Sequence, residues 1–168
     1  VREIMARGHT LGSHTFSHPY HLPSMNPAAS IAEVERGIAA VATAAGAPVA
    51  PFFRFPGLSD SASLLDRLQQ RRIAAFTVDV VSNDSFIADP QKLAERTMNI
   101  LAGKGKGILL FHDIKPSTAA ALPIILTQLK AQGYRVVHLT PKGSITSRPL
   151  VAAVTPRAPG PASVPMPA

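Results

Sequence analysis

Residues 73–113 have the sequence IAAFTVDVVSNDSFIADPQKLAERTMNILAGKGKGILLFHD, which predicts a strand, a helix and a second strand in succession. The β-branched and aromatic run at 73–81 is typical of a strand, and the apolar run at 107–113 is typical of a buried one. The segment 89–104 between them is predicted to be a helix with Pro90 in its first turn. Two strands joined by a helix at this spacing favour a parallel sheet, either open or closed into a barrel.

The same alternation of strands and helices continues on both sides of this unit. Further strands are predicted at 9–14, 51–57 and 134–139, and further helices at 30–46, 61–72 and 117–133. The helix at 30–46 has a serine at its start and Gly46 at its end, which are typical helix boundaries. No internal repeat stands out, so the pattern predicts a single α/β domain.

The bulk composition is that of one globular domain. The chain has 168 residues, of which 46% are apolar, and it has no cysteine, which excludes disulfides and cysteine-based catalytic or metal sites. The formal net charge is +7, but the basic residues are neither clustered nor interleaved with aromatic rings, so we expect no nucleic-acid partner. The apolar runs are shorter than the roughly 20 residues of a membrane-spanning helix, so we expect no transmembrane segment.

The two ends of the sequence differ from its middle. Residues 1–8 are typical of the last turns of an amphipathic helix that ends at Gly8, so we expect the chain to begin within a domain, with targeting information missing. Residues 146–168 are rich in proline and alanine without an apolar period, and they are predicted to form a disordered tail. The domain is therefore assigned to residues 1–145, and the cellular location is not predicted.

Ionisable residues follow or end several of the predicted strands. They are His14 and His18 after the first strand, Arg54 near the end of the second, Asp79 at the end of the third, and His112 with Asp113 at the end of the fourth. In parallel α/β folds the carboxyl ends of the strands open on one face, where binding and catalytic sites form. We therefore expect these side chains to share one site.

The segment GSHTFSHP at 12–19 contains two histidines four residues apart. Such a pair can direct both ring nitrogens at one divalent ion, for which zinc is the expected choice. A catalytic zinc normally has three protein ligands and a water, so His14 and His18 alone form an incomplete site. The spacing by itself leaves an ordinary polar loop as an equal alternative.

Three further residues are candidates for catalysis. Arg54 lies between aromatic residues, which indicates either a buried arginine with a carboxylate partner or a side chain that extends to the surface. Asp79 and His112 end apolar strands, and a carboxylate beside an imidazole raises the imidazole pKa and suits it to protonate a leaving group. The alternative is a hydrogen-bonded polar residue at each strand end, but the pair together favours a site. The remaining histidines, His9, His21 and His138, are interpreted as structural.

Taken in order, these motifs resemble those of the polysaccharide deacetylases, the NodB-homology group of carbohydrate esterase family 4. HTFSH at 14–18 is similar to the family's metal motif His-Ser/Thr-x-x-His, and RFPG at 54–57 is similar to Arg-x-Pro-aromatic. DVVSNDS at 79–85 loosely resembles the Asp-x-x-Asp-Trp region, and LLFH at 109–112 matches Leu-x-x-His. The resemblance covers residues 1–140, and the order and spacing of the motifs make it specific.

This resemblance implies a distorted (β/α) barrel whose first strand or strands are missing from the chain. It also implies metal-dependent hydrolysis of acetyl groups on a polysaccharide or oligosaccharide, so an acetylated glycan is the expected partner. His14 and His18 would bind the divalent metal, with zinc as the expected ion. His112 would protonate the leaving amine, oriented by Asp79, and Arg54 would hold the catalytic carboxylate in place.

The residues expected to bind substrate depart in part from the family pattern. Gly57 and Ser85 stand where the family has aromatic residues, so other rings are expected to stack on the sugar. The resemblance implies that Leu110 lines the pocket for the acetyl methyl group. The side chains expected to contact the glycan are therefore Leu110, Phe55, Pro56 and Phe86. N-acetylglucosamine polymers, such as chitin or peptidoglycan, are the first expected substrate, and acetylated xylan-like esters are the second.

The family's first motif, Thr-Phe-Asp-Asp-Gly, supplies a third metal ligand and the general base, and no counterpart precedes His14. Asp60, Asp66 and Asp84 stand in the wrong context to replace it. We therefore favour a fragment of a longer enzyme over a deacetylase-like fold that has lost its activity. Two alternatives stay open: a catalytically inactive carbohydrate-binding protein, and binding of a polyanion or protein through the basic, proline-rich tail.

Overall fold

A computed structural model describes residues 1–141 and the backbone of residues 145–147. The helices are α1 (Arg2–Ala6), α2 (Pro27–Ala45), α3 (Ala62–Gln70), α4 (Pro90–Lys104) and α5 (Pro116–Ala131). The strands are β1 (Phe52–Phe53), β2 (Ala74–Ala75), β3 (Val80–Val81), β4 (Leu109–Leu110), β5 (Val137–Leu139) and β6 (Ile145–Ser147). Short 3-10 turns occupy Leu22–Ser24 and Pro56–Leu58.

Neighbouring strands pair in parallel, as the alternation of strands and helices predicts. Ser13 forms a parallel bridge with Phe53 of β1, β1 pairs with β2, and β3 pairs with β4. The register of the last pair places Val80 opposite Leu109. Because these strands are parallel, their carboxyl ends open on one side, and the residues that follow them gather there.

The run predicted as one strand at 73–81 forms two short strands, because its halves pair with different neighbours. The Phe76 N–H donates to the Phe53 carbonyl, whereas the N–H groups of Asp79 and Val80 donate to the Ile108 carbonyl. β1 on one side and β4 on the other therefore pair with different parts of the segment 73–81. Such a stagger between strands is typical of a barrel wall.

The last strand pair is antiparallel, with Val137 of β5 opposite Ser147 of β6. The boundary predicted between the domain and its tail, after residue 145, therefore falls inside β6. Residues 142–144 and 148–168 lie outside the described residues, so most of the predicted disordered tail stays a prediction.

Side chains tie β5 to the beginning of the chain. The Thr10 hydroxyl donates to the Leu139 carbonyl at 2.8 Å, and its oxygen lies 2.5 Å from His138 Nε2. Since the single hydroxyl hydrogen is used on Leu139, His138 Nε2 must be the donor to Thr10. His138 therefore makes a structural contact, in agreement with its interpretation from the sequence.

Helix α4 begins where its local sequence predicts. One carboxylate oxygen of Asp89 accepts the backbone N–H groups of Gln91 and Lys92, at 2.8 and 3.0 Å. Pro90 occupies the first helical turn, where no N–H partner is required. These contacts satisfy donors that the first turn of any helix leaves unpaired.

Helix α2 ends as predicted but begins earlier than the sequence pattern suggests. Gly46 terminates it with φ of 70°, a left-handed conformation that glycine adopts readily. The cap at the other end is Asn26, whose side chain accepts the Ala28 N–H at 3.0 Å. The predicted start at Ser30 is therefore wrong by one turn, because Asn26 followed by Pro27 is the stronger start signal.

Two groups of buried side chains hold the helices against the strands. The first lies between α4, α5 and β3 and consists of Val80, Leu93, Ala94, Met98, Leu101, Ala121, Ile125 and Leu129. The second lies mainly between α2, α3 and β1 and consists of Leu22, Val34, Phe53, Phe55, Leu64 and Leu68. Helices α2, α3, α4 and α5 thus cover the strands with apolar faces, which fixes the loops at the strand ends.

Replacing Leu93 by alanine tests the first of these cores. Leu93 has no exposed surface, whereas Leu122 on α5 is 39% exposed. Truncation at Leu93 loses apolar contact and leaves a cavity, so we expect Leu93→Ala to lower the free energy of unfolding by about 2–5 kcal/mol. The matched control Leu122→Ala should lower it by less than about 1 kcal/mol. Urea denaturation measures both, and equal losses would contradict this packing.

Candidate active site

The rings of His14 and His18 face each other through their ε nitrogens. The two Nε2 atoms are 3.1 Å apart, and the ring centroids are 4.8 Å apart. Two nitrogens bound to one tetrahedral zinc at 2.0–2.1 Å are about 3.3 Å apart. The separation of the two Nε2 atoms therefore suits a shared divalent ion.

The other ring nitrogen of His14 determines which tautomer is present. His14 Nδ1 lies 2.6 Å from the Arg54 carbonyl oxygen, and a carbonyl can only accept, so Nδ1 carries the proton. Nε2 then has the free lone pair that a metal requires, and the carbonyl contact holds the ring in that orientation.

The surroundings of His14 keep its ring neutral. Burial lowers the pKa of His14 most, and the positive charges of His18, Arg54 and His112 lower it further, while the hydrogen bond to the Arg54 carbonyl acts in the opposite direction. The net pKa lies below the ordinary value of 6.5. A neutral imidazole is the form that binds metal.

Strand pairing brings His14 and Arg54 together. The Ser13 N–H donates to the Phe52 carbonyl, and the Arg54 N–H donates to the Ser13 carbonyl. His14 and Arg54 follow the two bridged residues and therefore lie at the same edge of the strands. For this reason the His14 ring reaches the Arg54 carbonyl.

The metal ligand set is only partly supplied by the described chain. Within residues 1–141, no group of three or more histidine, cysteine, aspartate or glutamate side chains is arranged to hold an ion. The two imidazoles fit a divalent ion as two of its ligands.

A second histidine, His112, is held by Asp84. The Asp84 carboxylate lies 2.7 Å from His112 Nδ1, and its other oxygen accepts the His112 backbone N–H at 2.5 Å and the Thr118 hydroxyl at 2.6 Å. Asp84 is buried, whereas the His112 side chain is 44% exposed. One face of the dyad is thus fixed in the protein and the other is open to a substrate.

Asp84 is ionised despite its burial. Burial raises the pKa of this carboxyl, but hydrogen bonds from the Thr118 hydroxyl and from the side chain and backbone of His112 outweigh it, so the pKa lies below the ordinary 3.8. An ionised carboxylate can only accept, so His112 Nδ1 is the donor and its Nε2 is free to exchange a proton.

The prediction that Asp79 orients His112 is wrong. The Asp79 carboxylate accepts the Ile108 N–H at 2.7 Å, at the amino ends of β3 and β4, whereas His112 follows the carboxyl end of β4. The sequence interpretation placed Asp79 at the end of a strand that in fact begins at Val80. Asp84 was missed, although it is the first carboxylate after β3 and its segment resembles the family's Asp-x-x-Asp-Trp region.

Arg54 is half-buried, which lies between the two interpretations from the sequence. Its Nε is buried and makes no hydrogen bond within the described part of the chain, and burial lowers the pKa of its guanidinium. The carboxylate that Arg54 was expected to hold is therefore not seen among these residues, and its role stays a prediction.

The aromatic residues expected to contact substrate divide into two groups. Phe55 is 4% exposed and packs on Phe53 with ring centroids 4.8 Å apart, and Pro56 is also buried. A buried ring cannot stack on a sugar, so the predictions for Phe55 and Pro56 are wrong: their segment turns into the second core. Phe86 is 89% exposed and accessible, and Leu110 on β4 is half-buried.

Comparison with known proteins shows which family the chain resembles. The model of the polysaccharide deacetylase family matches residues 1–76. Chitin deacetylase 1 of Saccharomyces cerevisiae is 29% identical over 117 residues, which cover 66% of this chain and 38% of the relative. A solved structure, a peptidoglycan deacetylase of Bdellovibrio bacteriovorus, is 33% identical, with a TM-score of 0.74 over 82% of this chain and 38% of that one. Over these residues the chain is similar to the polysaccharide deacetylase family.

A further solved structure agrees with the fold. The catalytic domain of a peptidoglycan N-acetylglucosamine deacetylase from Eubacterium rectale gives a TM-score of 0.73 at 22% identity, over 89% of this chain and 73% of that domain. The expected distorted (β/α) barrel of the NodB type is thereby confirmed. The chain spans 38% of the length of the yeast and Bdellovibrio relatives. None of the helices within the described residues has the length and apolarity needed to cross a membrane.

The Asp84 carboxylate should make the stability of the protein depend on acid pH. Its pKa is lower in the folded than in the unfolded chain, so its stabilising effect is complete above the unfolded value near 3.8 and is lost as pH falls through the folded value. We expect the free energy of unfolding to fall less steeply below pH 3.8 in Asp84→Asn than in the wild type.

Thr118→Val is the partner variant for this measurement. It removes one hydrogen bond that lowers the pKa of Asp84 but leaves the carboxyl, so the acid-dependent loss should be smaller than in the wild type and should end at a higher pH. Urea denaturation at several pH values between 2 and 7 follows all three proteins. Identical pH profiles for the wild type and Asp84→Asn would show that this carboxyl does not contribute.

Proposed function

We propose that the protein is a metal-dependent deacetylase that hydrolyses acetyl groups of a glycan containing N-acetylglucosamine. The observation that carries this proposal is the presence, at one edge of the strands, of two facing imidazoles and a third imidazole held by a buried carboxylate. A positive charge on His112 would lower the pKa of His14, which supports a location of both groups on the same side of the strands.

His14 and His18 would hold the divalent ion through their Nε2 atoms. Such an ion, when bound, supplies Lewis-acid polarisation of the acetyl carbonyl. The contribution of this chain is to keep both rings neutral and oriented, through burial of His14 and its hydrogen bond to the Arg54 carbonyl. Zinc is the ion that we propose, because two imidazole nitrogens are common zinc ligands.

His112 would act as the general acid. Hydrolysis of the N-acetyl group adds water to the carbonyl carbon and breaks the C–N bond, and the departing nitrogen needs a proton to leave as an amine. His112 Nε2 points away from its carboxylate partner, and the exposed part of the ring can deliver that proton. Asp84 holds the ring by Nδ1 and fixes its tautomer and orientation.

The substrate class rests on the chemistry of the relatives and on the accessible rings. The relatives named above include a chitin deacetylase and peptidoglycan deacetylases, which supports an N-acetylglucosamine glycan over an acetylated xylan. Phe86 is proposed to contact the sugar chain, because its ring is the most exposed of the large apolar side chains in the described residues. Leu110 is proposed to line the acetyl pocket.

Zinc titration tests the metal site. We expect calorimetry on the purified protein to show one zinc site, and His14→Ala/His18→Ala to weaken binding by at least about 100-fold because both nitrogen ligands are lost. His21→Ala removes an exposed histidine elsewhere and is the matched control, which should bind zinc like the wild type. Equal affinity in all three proteins would place the metal elsewhere.

Acetate release from tetra-N-acetylchitotetraose tests the catalytic dyad. We expect His112→Ala to lower kcat by about 100- to 10,000-fold, as for loss of a general acid. Asp84→Asn should lower kcat by at least about 10-fold because the ring loses its charged partner. Asp79→Asn is the matched control and should keep kcat within about 2-fold, since its carboxylate contacts the opposite ends of the strands.

Two outcomes of this assay would overturn parts of the proposal. A loss in Asp79→Asn as large as that in Asp84→Asn would show that the dyad is wrongly assigned. Saturable binding of the oligomer without acetate release by the zinc-loaded wild type would favour the alternative of an inactive carbohydrate-binding protein.

A further inference from the structure

The loop between the two facing histidines is attached to helix α2 by a buried carboxylate. Glu33 is 8% exposed, and its Oε2 accepts the Ser17 N–H at 2.8 Å. Hydrogen bonds from Ser17, helped by the Phe16 N–H, hold the pKa of Glu33 below its usual value although burial acts in the opposite direction. A buried carboxylate is expensive unless it is bonded in this way, so the contact is a strong one.

The next turn of the same helix touches the same loop. A Cβ at Gly37 would lie 2.4 Å from the carbonyl carbon of Thr15, so the helix and the loop backbone are in direct contact there. Arg36 places its guanidinium 3.9 Å from the centroid of the Phe16 ring. Glu33, Arg36 and Gly37 are spaced i, i+3 and i+4, which places them on one helix face. This face, Glu33 with Arg36 and Gly37, is named the α2 clamp.

The loop needs such support because its backbone is strained. Thr15 has φ of 63° and His18 has φ of 61°, and neither is glycine. Left-handed conformations cost non-glycine residues about 1–3 kcal/mol each and persist only where the surroundings enforce them. Without that support, a relaxed backbone would rotate His18 away from His14.

We propose that Glu33 is a positioning residue of the metal site, which acts through the Ser17 and Phe16 backbone to hold the His14 and His18 rings face to face. This inference rests on the proposed metal role of the two histidines. Arg36 and Gly37 complete the clamp, and no part of it touches the ion.

Zinc affinity and stability, measured together, separate positioning from a purely structural role. We expect Glu33→Ala to weaken zinc binding by at least 10-fold, because the loop is released, and Glu33→Gln to restore part of the loss, since an amide oxygen still accepts from Ser17. Glu35→Ala is the matched control on the same helix. Glu35 is paired with Arg67 of α3 and with Arg71, which caps the end of that helix, so its loss should lower stability without changing zinc affinity by more than about 2-fold.

A metal-free readout keeps this test independent of the proposed function. NMR Overhauser contacts between the His14 and His18 rings, whose centroids are 4.8 Å apart, should persist in the wild type and in Glu35→Ala and weaken in Glu33→Ala. Unchanged ring contacts and unchanged zinc affinity in Glu33→Ala and Glu33→Gln would overturn the inference. If the wild type binds no zinc but Glu33→Ala still weakens the ring contacts, the metal site is overturned and the clamp is kept.

A separate observation concerns Tyr20, which lies beside the same site. Its side chain is 70% exposed, and its ring meets the His18 ring edge to face at a centroid distance of 4.8 Å. A Cβ at Gly57 would lie 3.1 Å from Tyr20 Cδ1, so the ring extends over the backbone of residue 57, where no side chain competes. An open aromatic face is thus held next to a proposed metal ligand.

We infer that Tyr20 stacks on a sugar ring of the acetylated glycan, an inference that rests on the proposed function. Sugar rings present C–H groups that pack on aromatic faces, and Tyr20 offers a large apolar area with few rotatable bonds. The ring also lies beside His18, so a sugar on it would have its acetyl group near the metal site. The buried ring of Phe55 cannot take this role.

Binding of tetra-N-acetylchitotetraose to the zinc-loaded protein tests this inference. We expect Tyr20→Ala to weaken binding by at least 5-fold, Tyr20→Trp to keep it, and both variants to bind zinc like the wild type. If Tyr20→Ala binds the oligomer as tightly as the wild type does, only the role of Tyr20 is overturned. A wild type that binds no oligomer overturns both this role and the proposed substrate.

Discussion

The parallel bridge between Ser13 and Phe53 is the contact on which the geometry of the site depends. It aligns two segments that are 40 residues apart in the chain, so that His14 and Arg54 leave their strands side by side. The Arg54 carbonyl then fixes the His14 tautomer, and His14 Nε2 faces His18. If this bridge shifted by one residue, the side chain of residue 14 would point to the other face of the strand, and the pair of imidazoles would not form.

Two buried carboxylates support the histidines on either side of the site in the same manner. Asp84 accepts the backbone N–H of His112, and Glu33 accepts the backbone N–H of Ser17. In both cases an ionised acceptor inside the protein is bonded to the backbone that carries a functional ring, and such bonds are stronger than neutral ones. The cost of burying each charge is offset by these donors, and the loops gain a fixed geometry without a long helix or strand of their own.

Local sequence signals predicted the elements that local contacts determine. Asp89 with Pro90 marks the start of α4 and Gly46 marks the end of α2, because a cap needs only its own turn. The facing histidines were also predictable, since a spacing of four residues within one short loop limits how far apart they can lie. The parallel strand order followed from the alternation of strands and helices.

The wrong predictions concern residues whose position and burial depend on contacts with distant segments of the chain. Asp79 was expected at the carboxyl end of a strand, but pairing with β4 begins only at Val80, which reverses the end of the strand at which Asp79 lies. Phe55 was expected to be accessible, but it packs against Phe53 in a core that α2 and α3 complete. The proposed roles of Glu33 and Tyr20 could not be predicted from the sequence either. They depend on the contact of Glu33 with Ser17 and of the Tyr20 ring with His18, which local sequence patterns do not specify.

The link between Thr10 and β5 has a consequence for how the chain folds. Its hydrogen bonds join residues that are 128 and 129 positions apart, across most of the described chain. Contacts of such large sequence separation have a high entropic cost of loop closure when they form early. The cost is smaller once the intervening strand–helix units have folded. The segments that carry Thr10 and β5 are therefore expected to come together late, and their pairing slows folding as a non-local contact. During synthesis the partners of Thr10 on β5 emerge more than 120 residues later, so this edge stays uncovered until then.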